Sequence, residues 1–417
     1  MPSDTLTYPG LGGFCRALLA YGASEAAAKA SRFGVVLAVA HAMELEAIGL
    51  AAAALASGEI LKAVAETGAG QRIIAARAEA LEATCRQAHR IMLVWCLGLS
   101  ALQLALAGLW LAGGGAPLVA AMIALLALEY LFMPGGIVQA ALAMREGRMT
   151  GTAGVAGAQV VTQNLLTVAL VLATAHPLAV VAPKVLAAPV WLLGMRRLRP
   201  WTPDRSVALE PLRPFIRYGV PVVGIEVVKA LRLHADKLVI GGLLGPEVLG
   251  LYFFASGAGL GLATSVSQAF SIVLLPHLCR AGDRVAALGG AMRVALVALV
   301  PVVLAQAALA PVYVPLLFGE RWADAAPLVG VLCLMAVPQI LWSGAAQALR
   351  AEARAGRELA VTAVLAGALV VGTSIAAPYG LMTVALIQVV LASAIQIAAA
   401  WPALAAAFRV NRSPLEA

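Results

Sequence analysis

The chain has 417 residues, 62% of them hydrophobic and 12% charged, with a formal net charge of +8 and a mean hydropathy of +0.92. A soluble domain carries about 45–50% apolar and about 25% charged residues, so a water-soluble enzyme is excluded. Each bilayer crossing takes roughly 20 apolar residues, which fills the chain with about a dozen spans and leaves no room for a nucleotide-binding domain.

Apolar stretches run over 17–40, 47–66, 90–112, 117–140, 152–174, 178–195, 215–243, 248–275, 290–317, 325–348, 358–377 and 381–407. They predict an all-α polytopic membrane protein of twelve helices. The connections after even-numbered stretches hold Arg72, Arg77, Arg86 and Arg90, then Arg145 and Arg148, then Arg196, Arg197, Arg199, Arg205 and Arg213. Arg280, Arg284, Arg350, Arg354 and Arg357 follow, with Arg409 and Arg412 in the tail. The connections after odd-numbered stretches carry no Lys or Arg except Arg321. This asymmetry predicts cytoplasmic termini and accounts for the basic charge without nucleic acid. The first residues, with Asp4 and no cationic leader, predict no secretory signal. Cys15, Cys85, Cys96, Cys279 and Cys333 have no metal-ligand spacing and no pair on the oxidising side, so neither disulfide nor metal cluster is expected.

A shift of 201 residues lays Phe14 on Phe215, Arg16 on Arg217, Glu25 on Glu226, Leu37 on Leu238, Glu46 on Glu247, Gly49 on Gly250 and Leu50 on Leu251. Six crossings separate the copies, which predicts a parallel repeat of two six-helix lobes, 1–205 and 206–417, around a central cavity. Such lobes can open that cavity alternately to either side, although a duplicated bundle can also repeat for packing alone.

Ionisable groups inside spans are costly in lipid and face a cavity or a partner. Helix one carries Glu25, Lys29 and Arg32 within an arc of roughly 60°. Helix two adds Lys62, helix four Glu129, and helix six Lys184 beside Pro183. Helix seven carries Glu226, Lys229, Arg232, Asp236 and Lys237 within roughly 140°, with His234 to one side. At 1.5 Å per residue, Lys229 and Arg232 fall roughly 18–23 Å from the Arg217 end, near mid-bilayer. Lys29, Arg32, Lys184, Lys229 and Arg232 are therefore candidate contacts for an anionic cargo. The competing reading is mutual pairing, Glu25 with Lys29 and Arg232 with Asp236 at i,i+4 spacing. Glu25, Glu129, Glu226 and Asp236 are candidates for coupling to H⁺ or Na⁺; no other cofactor is expected. Gln159, Gln163 and Asn164 on helix five suit sugar hydroxyls or, more simply, interhelical hydrogen bonds. Pro183, Pro189, Pro221, Pro301 and Pro338 are kinks or hinges, and Gly257 with Gly261 forms a small-residue packing stripe.

The runs Ala40–Leu50 and Leu244-Gly-Pro-Glu-Val-Leu-Gly-Leu-Tyr252 resemble the A-R-x-L-G-P-E-x-x-G-x-Y turn of the multidrug/oligosaccharidyl-lipid/polysaccharide (MOP) exporter superfamily, polysaccharide transporter type. Glu66-Thr67-Gly68-Ala69-Gly70-Gln71 is similar to its D-x-G-x-x-Q, and Leu316-Leu317-Phe318-Gly319-Glu320-Arg321-Trp322-Ala323-Asp324-Ala325-Ala326-Pro327 to its L-F-G-x-x-W-x-x-A. The first turn departs from the pattern, with His41 and Met43-Glu44-Leu45 where the family has Arg and Leu-Gly-Pro. The resemblance implies a flippase of the bacterial inner membrane that carries polyprenyl-pyrophosphate-linked oligosaccharide to the outer leaflet, in company with a polysaccharide polymerase and export machinery. A drug/cation antiporter of the same superfamily would want an acidic cavity. The peptidoglycan-precursor flippase resembles a fourteen-helix plan. A membrane polymerase or glycosyltransferase would want long charged outer loops, and the chain has no Walker, H-E-x-x-H or G-x-S-x-G motif.

Overall fold

The computed structural model describes residues 31–410 apart from 66 and 353, so the expected helix-one charges Glu25 and Lys29 lie outside the described residues. Among the described residues all regular structure is helical, and helix falls on every apolar stretch read from the sequence. In chain order the helices are α1 (Ser31–Ala42), α2 (Leu45–Ala63), α3 (Ala69–Ala75), α4 (Leu81–Ala112), α5 (Pro117–Leu126), α6 (Glu129–Phe132), α7 (Pro134–Arg145) and α8 (Met149–Thr174). They continue as α9 (Leu178–Leu198), α10 (Leu212–Leu244), α11 (Pro246–Arg280), α12 (Arg284–Phe318), α13 (Ala326–Cys333), α14 (Ala336–Ala351), α15 (Ala355–Ala376) and α16 (Leu381–Val410).

Seven helical stretches are long and apolar enough to cross a bilayer, and the pair Pro117–Phe132 and Pro134–Arg145, bent by 48°, makes an eighth if taken as one span. This is a multi-pass membrane protein. Its outward side chains suit lipid: Leu316, Val297 and Leu109 are 78%, 76% and 68% exposed. The 33-residue α10 is long enough to span but carries Glu226, Lys229, Arg232, Asp236 and Lys237, so it needs polar company along its length.

Contacts divide the chain into two compact units, one covering Ser31–Gly250 and one running from Leu251 onward. The expected lobe boundary at 205/206 falls in the loop between α9 and α10, whereas by contacts α10 stays with α1–α9, packed along α2.

In the first unit helices approach through small residues, because lipid offers no hydrophobic drive for association. Gly49, Ala51, Ala52, Ala54, Ala56 and Gly58 of α2 are buried, and a Cβ at Gly58 would sit 2.8 Å from the Leu126 side chain of α5. The fourth expected helix is broken into α5, α6 and α7, which frees carbonyls that must find donors inside the membrane. Helix α4 supplies them: Ser100 Oγ donates to the Ala127 carbonyl at 3.0 Å and Gln103 Nε2 to Ile123 at 2.8 Å. At the arginine-rich end Arg145 of α7 donates to the carbonyls of Ile73, Ile74 and Ala76 and so caps α3. Asp204 turns the loop before α10 by accepting from the Ser206 hydroxyl and N–H, which holds its carboxyl below the usual range.

At the arginine-poor end, α2 and the first turn of α11 cross at the two glycines that the 201-residue shift superposes. A Cβ on Gly49 would lie 1.7 Å from the Pro246 carbonyl oxygen, and one on Gly250 would lie 2.0 Å from that of Leu45. Leu45 and Pro246 are themselves separated by 201 residues. The contact is therefore reciprocal across the 201-residue shift. Neither glycine admits a side chain.

The second unit is held by aromatic and neutral polar contacts. Phe254 of α11 stacks on Trp322 at 3.8 Å and meets Phe318 edge-on at 5.0 Å, which explains the Leu-Phe-Gly…Trp motif as a plug beneath the turn at Gly319, whose φ is +97°. Among the described residues no atom lies within 4 Å of a Cβ built on Gly257 or Gly261, whereas one on Gly259 would fall 3.0 Å from the Val329 carbonyl of α13.

Candidate functional site

The first unit gathers ionisable side chains from α2, the broken α5–α7 span, α9 and α10. Glu59 and Lys62 lie one turn apart in the last turns of α2 and so share a face. Lys184, next to Pro183 in α9, donates to Glu59, and its side chain is only 11% exposed. Lys62 donates to Glu129, which the break after α5 sets at the start of α6 with an equally buried side chain. A proline-containing helix and a broken one thus each deliver one charged group to α2.

Helix α10 closes on this pair of ion pairs. His234 lies within electrostatic reach of Glu59, Lys184, Asp236 and Lys237, and Glu59 within reach of Lys184, Lys62 and His234. Asp236 pairs with Lys237 at 3.3 Å, both about 15% exposed, and Lys237 also donates to the Leu233 carbonyl at 2.8 Å. Nearer the arginine-rich end, Lys229 donates to Glu226 at 2.7 Å. Arg232 is partly buried and, among the described residues, makes no ion pair or hydrogen bond.

Of the sequence candidates, the structure brings Lys184, Glu129 and Asp236 into one cluster together with Lys62 and Lys237. Glu226, Lys229 and Arg232 follow on the same helix. Arg32 is exposed on α1 and makes no ion pair with the cluster among the described residues. The i,i+4 pairing of Arg232 with Asp236 is replaced by Glu226–Lys229 and Asp236–Lys237, because both carboxylates have a cation closer along the helix. Glu59 joins the cluster without being a sequence candidate, although its i,i+3 spacing from Lys62 marks a shared face, and His234 joins it from the side of α10. Asn164 of α8 donates to Ser31 of α1 at 2.9 Å, the interhelical hydrogen bond that the polar stripe on helix five allowed.

A net excess of fixed cations results inside the span region. Lys62, Lys184, Lys229, Arg232 and Lys237 stand against Glu59, Glu129, Glu226 and Asp236. No group among them is placed as a nucleophile with an adjacent general base; the described contacts are ion pairs and hydrogen bonds.

The profile of the family described as "Polysaccharide biosynthesis protein" matches residues 39–327, well over half of the chain. The chain is 23% identical over 160 residues to the teichuronic acid biosynthesis protein TuaB of Bacillus subtilis (strain 168), a match covering 37% of this chain and 33% of that one. It therefore spans about a third of the length of the curated relatives it matches. In fold it is similar to the lipid II flippase MurJ in an inward closed conformation, with a TM-score of 0.74 at 12% identity over 93% of this chain and 87% of that one. It is also similar to an inward-facing multidrug resistance MATE family transporter of the MOP superfamily, with a TM-score of 0.65 at 16% identity over 92% and 95%. The chain belongs to the polysaccharide biosynthesis protein family.

Proposed function

We propose that the protein is a flippase that moves a polyprenyl-pyrophosphate-linked oligosaccharide from the cytoplasmic to the outer leaflet of a bacterial plasma membrane by alternating access. In this reading twelve spans form two six-helix lobes, with the arginine-rich loops and both termini cytoplasmic. The observation that carries it is the cation excess on α2, α9 and α10. A diphosphate cannot cross a medium of low dielectric alone, and each lysine already held by a carboxylate has met its desolvation cost before cargo arrives. Replacing a carboxylate by a phosphate oxygen then exchanges one anion for another. Arg232 adds a planar, always charged fork suited to phosphate. Uptake of H⁺ or Na⁺ at Glu129, Glu226 or Asp236 would couple a gradient to return of the empty carrier. A drug/cation carrier would want the opposite sign of charge.

The test is transfer of a labelled lipid-linked repeat unit in sealed vesicles containing the purified protein. Leaflet exchange without chain growth is expected. Chain growth would make the protein a polymerase, and absence of exchange would remove the flippase reading.

A further inference from the structure

At the arginine-rich end, the start of α10 opens onto a cavity of about 700 Å³ lined by Arg72, Arg213, Pro214, Arg217 and Tyr218. Its walls are built and not merely adjacent. Gly219 lets α10 press on the turn before α3, since a Cβ there would come within 2.8 Å of the Thr67 carbonyl. Gly68, at φ +72°, leaves room for the Tyr218 ring, whose hydroxyl donates to Gln71 at 3.2 Å. Thr67, Gly68 and Gln71 of that motif thus form the cradle for the start of α10.

Arg72 is fixed on one side of the cavity. Its Nη2 donates to Glu210 at 2.6 Å and its guanidinium lies 5.1 Å above the buried Phe215 ring, while its Nε is buried with no hydrogen-bond partner. Glu210 is in turn held by the Thr84 hydroxyl at 2.7 Å, so this carboxylate is fully engaged by Arg72 and α4. Arg213 and Arg217 are exposed at the opening, one helical turn apart on the same face, and bind no carboxylate among the described residues. A concave basin thus keeps two uncompensated guanidinium groups beside a third that is preorganised. Guanidinium forks match phosphate oxygens two at a time, and arginine clusters are the usual answer to phosphorylated headgroups.

We propose that this basin is a second anion site, which captures the phosphate or diphosphate of a lipid headgroup at the membrane surface. It stands whatever the orientation or the cargo assigned above. Two sources share this chemistry, the diphosphate of a polyprenyl lipid and the phosphate of an anionic phospholipid.

The experiment uses the full chain in nanodiscs of neutral phosphatidylcholine. Inorganic pyrophosphate binding is titrated by calorimetry, and retained phosphatidylglycerol is counted by native mass spectrometry. The variant is Arg213→Gln with Arg217→Gln, both at exposed positions that leave the fold intact; Arg77→Gln with Arg197→Gln removes two exposed arginines elsewhere. Loss of two charge-assisted contacts is expected to weaken pyrophosphate binding about tenfold or more, with the control pair within about twofold. A loss confined to pyrophosphate supports a diphosphate-lipid site, and a loss confined to phosphatidylglycerol supports a bilayer-lipid site. Equal binding by wild type and the Arg213/Arg217 variant for both probes, or an equal fall in the control pair, would overturn the proposal. Lys184 variants that lose transport but keep pyrophosphate binding would separate this site from the transport reading.

Discussion

Within Ser31–Gly250 two ion pairs, Lys184 with Glu59 and Lys62 with Glu129, join helices alongside neutral hydrogen bonds, whereas from Leu251 onward the described polar contacts between helices are mostly neutral, with the ion pair Arg350–Glu358 at the helix ends. There Tyr252 donates to Gln388 at 2.8 Å, Gln388 donates to Thr373 at 3.0 Å, and Ser267 meets Ser343 at 2.6 Å. Gln306 of α12 donates to the Ala258 carbonyl at 3.1 Å. Neutral hydrogen bonds suffice to fix helices against one another, so ionic groups are not needed for packing alone. Buried ion pairs are poor stabilisers relative to apolar replacements, so the proposed function gives Lys184–Glu59 and Lys62–Glu129 a role that packing alone does not require.

The largest effect expected from breaking this contrast is at Lys184. Lys184→Ala leaves Glu59 without its partner and should cost about 3–5 kcal/mol, seen as a large fall in thermal midpoint. Lys184→Met combined with Glu59→Leu removes both charges and should recover the midpoint to within about 1 kcal/mol while export stays lost. Export of surface polysaccharide by that double variant would reduce the pair to a structural role.

The reciprocal glycine crossing comes next. Gly49→Ala or Gly250→Ala drives a methyl group into a carbonyl oxygen and should destabilise by about 1–3 kcal/mol, whereas Gly257→Ala should stay within about 0.5 kcal/mol. Equal melting of all three would mean that α2 and α11 do not approach as closely as the contact requires. The smallest effect belongs to the neutral network: Gln388→Leu should cost about 0.6 kcal/mol, the usual worth of an interhelical hydrogen bond in a membrane. A loss near that of Lys184→Ala would erase the distinction between the two units.

Much of this arrangement was legible because apolar stretches and turn glycines are local signals. Helix lies on every stretch in the described residues, and the repeat shift that paired Gly49 with Gly250 paired two residues that touch. The ion pairs were not legible, since Glu59 and Lys184 stand 125 residues apart and Lys62 and Glu129 stand 67 apart. Nothing in either local sequence names its partner. The break at Glu129 was hidden as well, because Leu125, Leu126, Ala127 and Leu128 read as continuous apolar helix. Its donors come from Ser100 and Gln103 on the preceding helix. The internal pairing on α10 was anticipated in kind but not in register, since the shorter spacings 226–229 and 236–237 prevailed.

The most direct test of the central claim, that the cations of the first unit carry an anionic headgroup, is leaflet exchange of labelled lipid-linked repeat unit in vesicles holding wild type or Arg232→Gln. Arg232 makes no ion pair or hydrogen bond among the described residues, so its loss leaves no carboxylate there stranded and the fold should persist. Exchange should fall about tenfold or more in the variant with an unchanged thermal midpoint, the loss of one charge-assisted phosphate contact. Exchange at the wild-type rate would contradict the account.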